Sequence, residues 1–483
     1  MARYHYAQRE AMQISKKIVV ILLTTNLVAC AVQRYRPAPV SIAENAHFLS
    51  TRNLQNNGLR AFLQDKLPVE AGDWPLEEWN LPGLTLAAFY YNPNLQVARD
   101  QVAEAEAAIV TARARPNPTI QAPLGGETAP ESPWIAGAGF SLPIETAGKR
   151  RYRTTEAQQL ADAARWNLAS SGWAVRAQVR SALLEYLAAN RILHLLEEEE
   201  HLRAEQVRLL EQRLAVGMIP RPEVDTARIE QTQTLLAVQA AEGRISQGRA
   251  SLAAAIGVPV SALGNVSISW PEFDQPPSPE SLKPPQIQED AVLNRIDIRK
   301  ALANYSAADA AVRLEIARQY PNIDLGPNYA FEEGSHLFSV ATNLVLPVFN
   351  HNQGPIAEAE ARRDELAHQV LAVQAAGIAA SEQALAKYTA ALNQLSEARR
   401  LMEQSLAQEQ AMTQSFKAGQ SDRVALNGSQ LQTAVIRIAE LDALVTAQQA
   451  LGDLENAVER PLLPGDIQPL SLPAPALEAP KRK

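Results

Sequence analysis

The sequence holds one cysteine, Cys30, in 483 residues. That excludes an internal disulfide framework and a cysteine-built metal site. Aromatic residues make up only 5% of the chain, and the five methionines are too few for a copper relay. Past the first thirty residues, no apolar run approaches the roughly 20 residues that a membrane-crossing helix needs. Positive charge is also short. The 45 Lys and Arg against 53 Asp and Glu leave a net charge of −8, which argues against nucleic acid as a partner. There is no phosphate-binding glycine loop, no zinc-type histidine spacing and no nucleophile elbow. Seven histidines are scattered; His194 and His201, seven apart, read as a solvated or packing pair on one helix face. The run Glu197-Glu198-Glu199-Glu200 reads as a solvated helix face. An enzyme therefore has no residues to stand on: no catalytic residue, metal ligand or cofactor is expected.

What the chain does have is small apolar residues. Hydrophobic side chains reach 46% with few large aromatics, a composition suited to long helices packed at close range. The N-terminus carries a second signal. Lys16-Lys17 precede the apolar run Ile18–Leu23, and Leu27-Val28-Ala29-Cys30 follows. A basic n-region, a short apolar core and small residues at the cut site make residues 1–29 a signal peptide. Leu27-Val28-Ala29-Cys30 resembles the bacterial lipobox, which implies that Cys30 carries a lipid anchor such as palmitate and begins the mature chain. Ala31 after the cysteine points to the outer membrane, and residues 1–11 read as lying upstream of a start at Met12.

The remainder is a duplication. Ala112-Arg113-Ala114-Arg115-Pro116-Asn117 returns as Ala317-Arg318-Gln319-Tyr320-Pro321-Asn322, and Leu142-Pro143-Ile144 as Leu346-Pro347-Val348. Glu156-Ala157 matches Glu360-Ala361, Gly217 matches Gly419, and Leu252 matches Leu454. Five ordered matches at a nearly constant offset define two copies of one plan. The copies span residues 84–263 and 289–460, preceded by an extended polar segment 30–83. A proline-rich linker, 264–288, joins them, and a proline-rich tail, 461–483, follows.

Each copy predicts a helix (84–115; 289–319) stopped by Pro116 or Pro321. Two strands follow, about 117–143 and about 322–348. Phe338, Val340 and Leu344 alternate with Ser339, Ala341 and Asn343, and Gly125-Gly126 and Glu332-Glu333-Gly334 supply turns. A very long helix comes next (150–216; 355–418), about 100 Å at 1.5 Å per residue. Along the second of these, Leu385, Tyr388, Leu392, Leu395, Met402 and Leu406 step by threes and fours, a heptad-like seam interrupted at Arg399. Gly217 or Gly419 then turns the chain into a return helix (223–257; 422–459). In each copy the two shorter helices together match the long one, so they can stack beside it and build a wall of even height.

Four strands cannot close a barrel, and open strand edges are forbidden in lipid. Membranous strands must therefore be pooled between chains, and three chains supply twelve. At this point the chain resembles the TolC-like outer membrane efflux protein family. The resemblance covers about residues 70–460 and rests on the duplicated plan, on Asn92-Pro93-Asn94-Leu95 with Ala98-Arg99, on Ala112-Arg113 before Pro116, and on the Gly217 and Gly419 turns. It implies a mainly α fold with a small transmembrane β part. The duplicated helix–β-hairpin–helix–helix unit would form a homotrimer whose 12-stranded β-barrel continues as a long α-helical barrel.

It further implies a passive conduit in the outer membrane. Its partners would be a periplasmic adaptor (membrane fusion) protein and an inner-membrane pump of the RND type. The docking tip would comprise Val216, Gly217, Met218, Ile219, Ala418, Gly419, Gln420 and Ser421. In relatives, acidic residues one to two turns past the second glycine narrow the pore. Here those positions are Ala425 and Gly428, which leaves Asp422 and Asp225 as candidate constriction residues. Gly148-Lys149-Arg150 resembles the branch that exports heavy-metal cations, although Lys149, Arg150, Arg151 and Arg153 also read as plain interfacial charges. The alternative is a periplasmic coiled-coil adaptor or scaffold lipoprotein without a pore. An adaptor should show one helical hairpin among many strands rather than two hairpins.

Overall fold

The computed structural model describes residues 34–64, 74–126, 134–264, 266–279, 281–282, 289, 293, 295–332 and 335–463. The signal segment, Cys30, much of the linker and the tail beyond Leu463 lie outside the described residues. The chain divides into two compact units, Met1–Phe48 with Glu478–Lys483, and Leu49–Leu477. The described part of the first is a coil that enters helix α1 (Ile42–Ser50).

The second unit opens on a short helix, α2 (Asn57–Gln64), where sequence alone predicts an extended segment. Leu59 and Leu63, one turn apart, are wholly buried, and that burial gives the segment its helical form. The first duplicated copy then runs through strand β1 (Glu78–Trp79), α3 (Leu81–Tyr91), α4 (Pro93–Arg113), β2 (Thr119–Gln121), β3 (Leu124–Gly126), β4 (Trp134–Ile144), α5 (Lys149–Ala215) and α6 (Arg221–Ile256). Strand β5 (Ser267–Ile268) pairs with β1 in parallel and ties the linker to the start of the unit. The second copy follows with α7 (Ile296–Ala317), β6 (Ile323–Glu332), β7 (Ser335–Leu344), α8 (Gln353–Lys417) and α9 (Arg423–Val458).

The single first helix expected over 84–115 is two helices. Pro93 has no N–H to give and disfavours a helical residue before it. Asn92 is accordingly extended, its side chain accepts from the Asn94 N–H at 3.0 Å, and its amide donates to Ala255 O at 3.2 Å. The motif is thus a cap and a joint together.

The helices form a wall. α4 and α6 lie on one side of α5; α7 and α9 lie between α5 and α8. The length match expected from sequence holds: α4 and α6, at 21 and 36 residues, run beside the 67 of α5. α7 and α9, at 22 and 36, run beside the 65 of α8. The wall's outer columns are α4 with α6 on one edge and α8 on the other. Of the seam expected along α8, Tyr388, Leu395 and Met402 are buried and Leu385, Leu392 and Leu406 are half-buried; Ser381, Ala384, Ala391 and Ser405 complete the buried face, while Arg399 faces out.

The main core sits at mid-height, where α2, α3 and the linker wrap the wall. Trp79, Phe89, Phe273 and Tyr388 are buried there among leucines and alanines. Inside it lies a charged cluster that sequence reading missed. Arg176 donates twice to Glu455 Oε2 at 3.1 Å, and Arg180 pairs with the same oxygen at 3.2 Å. Arg180 also donates to Gln448, whose amide donates to Glu272 O and Phe273 O at 3.0 and 2.7 Å. The guanidinium groups stack on Trp173 and Trp270. One network therefore fastens the linker to helices from both copies.

Candidate functional site

The strands other than β1 and β5 form one antiparallel sheet, ordered β2/β3–β4–β6–β7, with β2 and β3 pairing successive parts of β4. The register sorts its side chains into two classes. Ile144 pairs with Ile323 and Ile323 with Leu344; Leu142 pairs with Leu325; Tyr329 pairs with Phe338. Because side chains alternate across a strand, this face gathers Ile120, Phe140, Leu142, Leu325, Val340 and their neighbours. Most of these side chains are exposed, Phe338 to 80%. The opposite face carries Thr119, Gln121, Ser141, Asp324, Asn328, Ser339 and Asn343, and all of these but Ser339 line a polar recess together with Gly139, Pro143 and Ala341. An apolar face left bare and a polar face behind it reverse the pattern of a water-soluble sheet. Among the described residues both edges are also open: β2/β3 follow α4, one outer column of the wall, and β7 leads into α8, the other.

The helical edges are apolar as well. Ile229 and Leu236, a heptad apart on α6, are exposed, as are Leu371 and Ile378, a heptad apart on α8. Such paired stripes are what a second copy would cover.

Where sheet meets helix, the four basic residues predicted as rim charges divide in two. Lys149 is buried: its ammonium donates to Tyr320 O at 2.5 Å and Asn322 Oδ1 at 2.6 Å, joining the two copies at their proline-stopped helix ends. Desolvation holds that ammonium below the usual lysine range, against the pull of Glu145. Arg153 pairs with Glu145 at 2.7 Å and donates to Ala112 O and Ala114 O, satisfying the last carbonyls of α4. Arg150 and Arg151 instead line an open cavity.

At the far end, both predicted turns share one geometry. Gly217 and Gly419 sit at φ 73° and 72°, left-handed conformations that cost other L-residues about 1–2 kcal/mol. The amide of Gly217 donates to Leu214 O and that of Met218 to Arg213 O; those of Gly419 and Gln420 donate to Phe416 O and Ser415 O. These are two Schellman caps. Val216 and Met218 are 70% and 72% exposed. Ala418, Gly419 and Gln420 are exposed too, while Ile219 and Ser421 are half-buried.

Ile219 packs with Val207, Leu210 and Val224, and Val424 from the other tip joins them. Asp422 caps α9 by accepting from Ala425 N at 2.9 Å, and it pairs with Arg213 across the tips. The Ala425 N–H foremost, with Arg213 beside it, holds the Asp422 carboxyl below the ordinary aspartate range. Asp225 lies among Arg221 and Arg228 on its own helix. The two carboxylates share no partner among the described residues.

The glutamate run is not uniformly solvated. Successive helical residues turn by about 100°, so the four point four ways. Glu197 meets His194, Glu198 meets Arg437, and Glu200 meets Gln231. Glu199 is buried against Arg203 and Thr234.

Comparison with known proteins agrees with this plan. Residues 87–258 match the family model described as outer membrane efflux protein. The cobalt-zinc-cadmium resistance protein CzcC of Cupriavidus metallidurans is 27% identical over 287 residues; the match covers 58% of this chain and 66% of that protein's length. A probable outer membrane lipoprotein, SilC, of Salmonella typhimurium is 23% identical over 381 residues, 72% of this chain and 77% of its own. The fold matches the crystal structure of a membrane protein from Pseudomonas aeruginosa with a TM-score of 0.63 at 20% identity, covering 89% of this chain and 97% of that one. A twice-repeated hairpin wall, a sheet turned inside out and two capped tips accompany these matches, and the chain is similar in sequence and fold to outer membrane efflux proteins.

Proposed function

We propose that the chain is the outer-membrane channel of a tripartite efflux system, working as a homotrimer. The observation that carries this is the two-faced sheet with both edges open, each edge continuing into an open edge of the helical wall. Pairing β7 and α8 of one copy with β2/β3 and α4/α6 of the next removes every bare edge. Three copies give twelve strands, with the apolar face toward lipid and the polar face toward a lumen. The paired tips, exposed and capped, are the surface for a periplasmic adaptor, which an inner-membrane pump of the RND type would supply with cargo. Asp422 and Asp225 would lie near the lumen's narrow end, and Cys30 would carry the lipid anchor.

The names of the relatives favour heavy-metal cations as cargo, cobalt, zinc and cadmium first. Transport needs no bond chemistry from this chain, because the pump provides the energy. Detergent-extracted protein should elute from a sizing column as a trimer and conduct in a planar bilayer. Deleting the gene should sensitise cells to those cations. A monomer without conductance would sink the channel reading, and unchanged metal tolerance with raised dye or antibiotic sensitivity would replace the cargo.

A further inference from the structure

At the junction of sheet and helices lies a cavity of about 790 Å³ whose wall is chemically divided. One part is apolar, made by Leu142 and Ile144 on the sheet's bare apolar face. The other is net cationic, made by Arg115, Arg150 and Arg151, because the one carboxylate on the wall, Glu145, is paired with Arg153. Arg151 lies over the Tyr152 ring, its centre 4.9 Å from the centroid, and donates to that hydroxyl at 3.1 Å. Neither Arg115 nor Arg150 has a carboxylate partner among the described residues, although neighbouring Arg153 is fully engaged by Glu145. The first turn of α5 opens on the same cavity. Its cap residue, Gly148, provides no side-chain acceptor; the Lys149 and Tyr152 N–H groups donate to Thr146 O and Gly148 O, which leaves those of Arg150 and Arg151 to an anion.

We infer that this cavity holds the headgroup of an anionic phospholipid from the periplasmic leaflet. The phosphodiester sits between Arg115, Arg150 and the start of α5, and the acyl chains lie along Leu142 and Ile144. The division of the wall is the argument. A free anion would use the arginines and leave the apolar half idle, whereas a headgroup at the end of acyl chains uses both halves in the order found. This inference rests on the reading of the sheet as membrane-spanning.

Native mass spectrometry of the detergent-solubilised full-length trimer tests it, with dioleoyl phosphatidylglycerol and dioleoyl phosphatidylcholine as competing probes. The wild-type protein should retain phosphatidylglycerol in preference. The double variant Arg115→Gln/Arg150→Gln should lose that preference by about 30-fold, a factor of about five for each arginine removed beside an anionic lipid. Arg208→Gln/Arg221→Gln, which removes the same charge at the distant tip, should retain it, and both variants should remain trimers on a sizing column. Equal retention of phosphatidylglycerol by wild type and the junction variant would overturn the inference, as would its displacement by millimolar inorganic phosphate. If the wild-type protein forms trimers and conducts but shows no lipid preference, this inference alone fails. If it neither inserts nor conducts, the membrane reading falls and the inference falls with it.

Discussion

At the scale of single residues, the most demanding contact is Glu455 between Arg176 and Arg180, all three buried. Removing one member of such a cluster strands charge in a low-dielectric core. Glu455→Ala should therefore cost about 3–5 kcal/mol. Replacing all three residues with apolar ones of similar volume should recover most of that loss, and thermal unfolding of the detergent-solubilised protein reads both changes. At the tips the cost is conformational. A Cβ added at Gly217 or Gly419 meets nothing within 4 Å, so Gly→Ala at either should cost only the left-handed backbone term, about 1–2 kcal/mol.

Asp422 gives a pH dependence. Its folded pKa is depressed, so its contribution is present above the unfolded carboxylate value, about pH 4, and is lost as pH falls through the lower folded value. Hydrogen exchange at residues 416–426, corrected for intrinsic rate, should be flat from about pH 7 to 5 and rise at acid pH. In Asp422→Ala that acid rise should vanish, with protection already reduced by about 1 kcal/mol of lost capping. Little of this was legible beforehand. Glycines announce a turn because few other residues tolerate it, but Arg176 and Arg180 look like surface charges until helices distant in sequence close over them.

At the scale of elements, the sequence was readable where periodicity spoke. The long helices, their glycine stops and the heptad seam of α8 follow from spacing alone. Proline-stopped helix ends were found within a few residues. Two readings needed tertiary context. α2 is too short to show a period, and its helix exists because Leu59 and Leu63 have a core to enter. The Asn92–Pro93 joint was visible as a motif but not as a break, because the apolar pattern runs on through it. The linker is a further case: its prolines mark only a connection between the copies, yet Trp270 and Phe273 are buried and the Tyr388 hydroxyl donates to Pro277 O. Tyr388→Phe should cost about 1 kcal/mol for that hydrogen bond. Tyr388→Ala should cost about 3–5 kcal/mol and raise protease cutting near residue 277, since the ring also anchors the seam.

At the scale of the whole molecule, the proposed trimer would use the exposed stripes on α6 and α8 for its association. Ile229→Glu/Leu236→Glu should abolish the trimer on a sizing column and conductance in a bilayer while leaving helical circular dichroism intact. If the double variant still assembles, the α6 edge is not the seam. The duplication and the bare edges were legible, because each is a matter of counting and alternation, whereas the outer strand of the first hairpin, expected as one, is split into β2 and β3. The junction cavity was not legible, since it assembles from residues near 115, 143 and 151 that meet only when β4 folds back beside β2.

The open edges of the sheet also bear on inheritance. A chain whose β7 edge is blocked, for example by proline, can still be taken up through its intact β2/β3 edge, and it then prevents closure of the ring it has joined. When such a variant is made in equal amount with the wild type, random mixing in threes leaves about one assembly in eight free of it. Edge variants should therefore behave as dominant poisons, whereas variants that merely unfold the chain should be recessive.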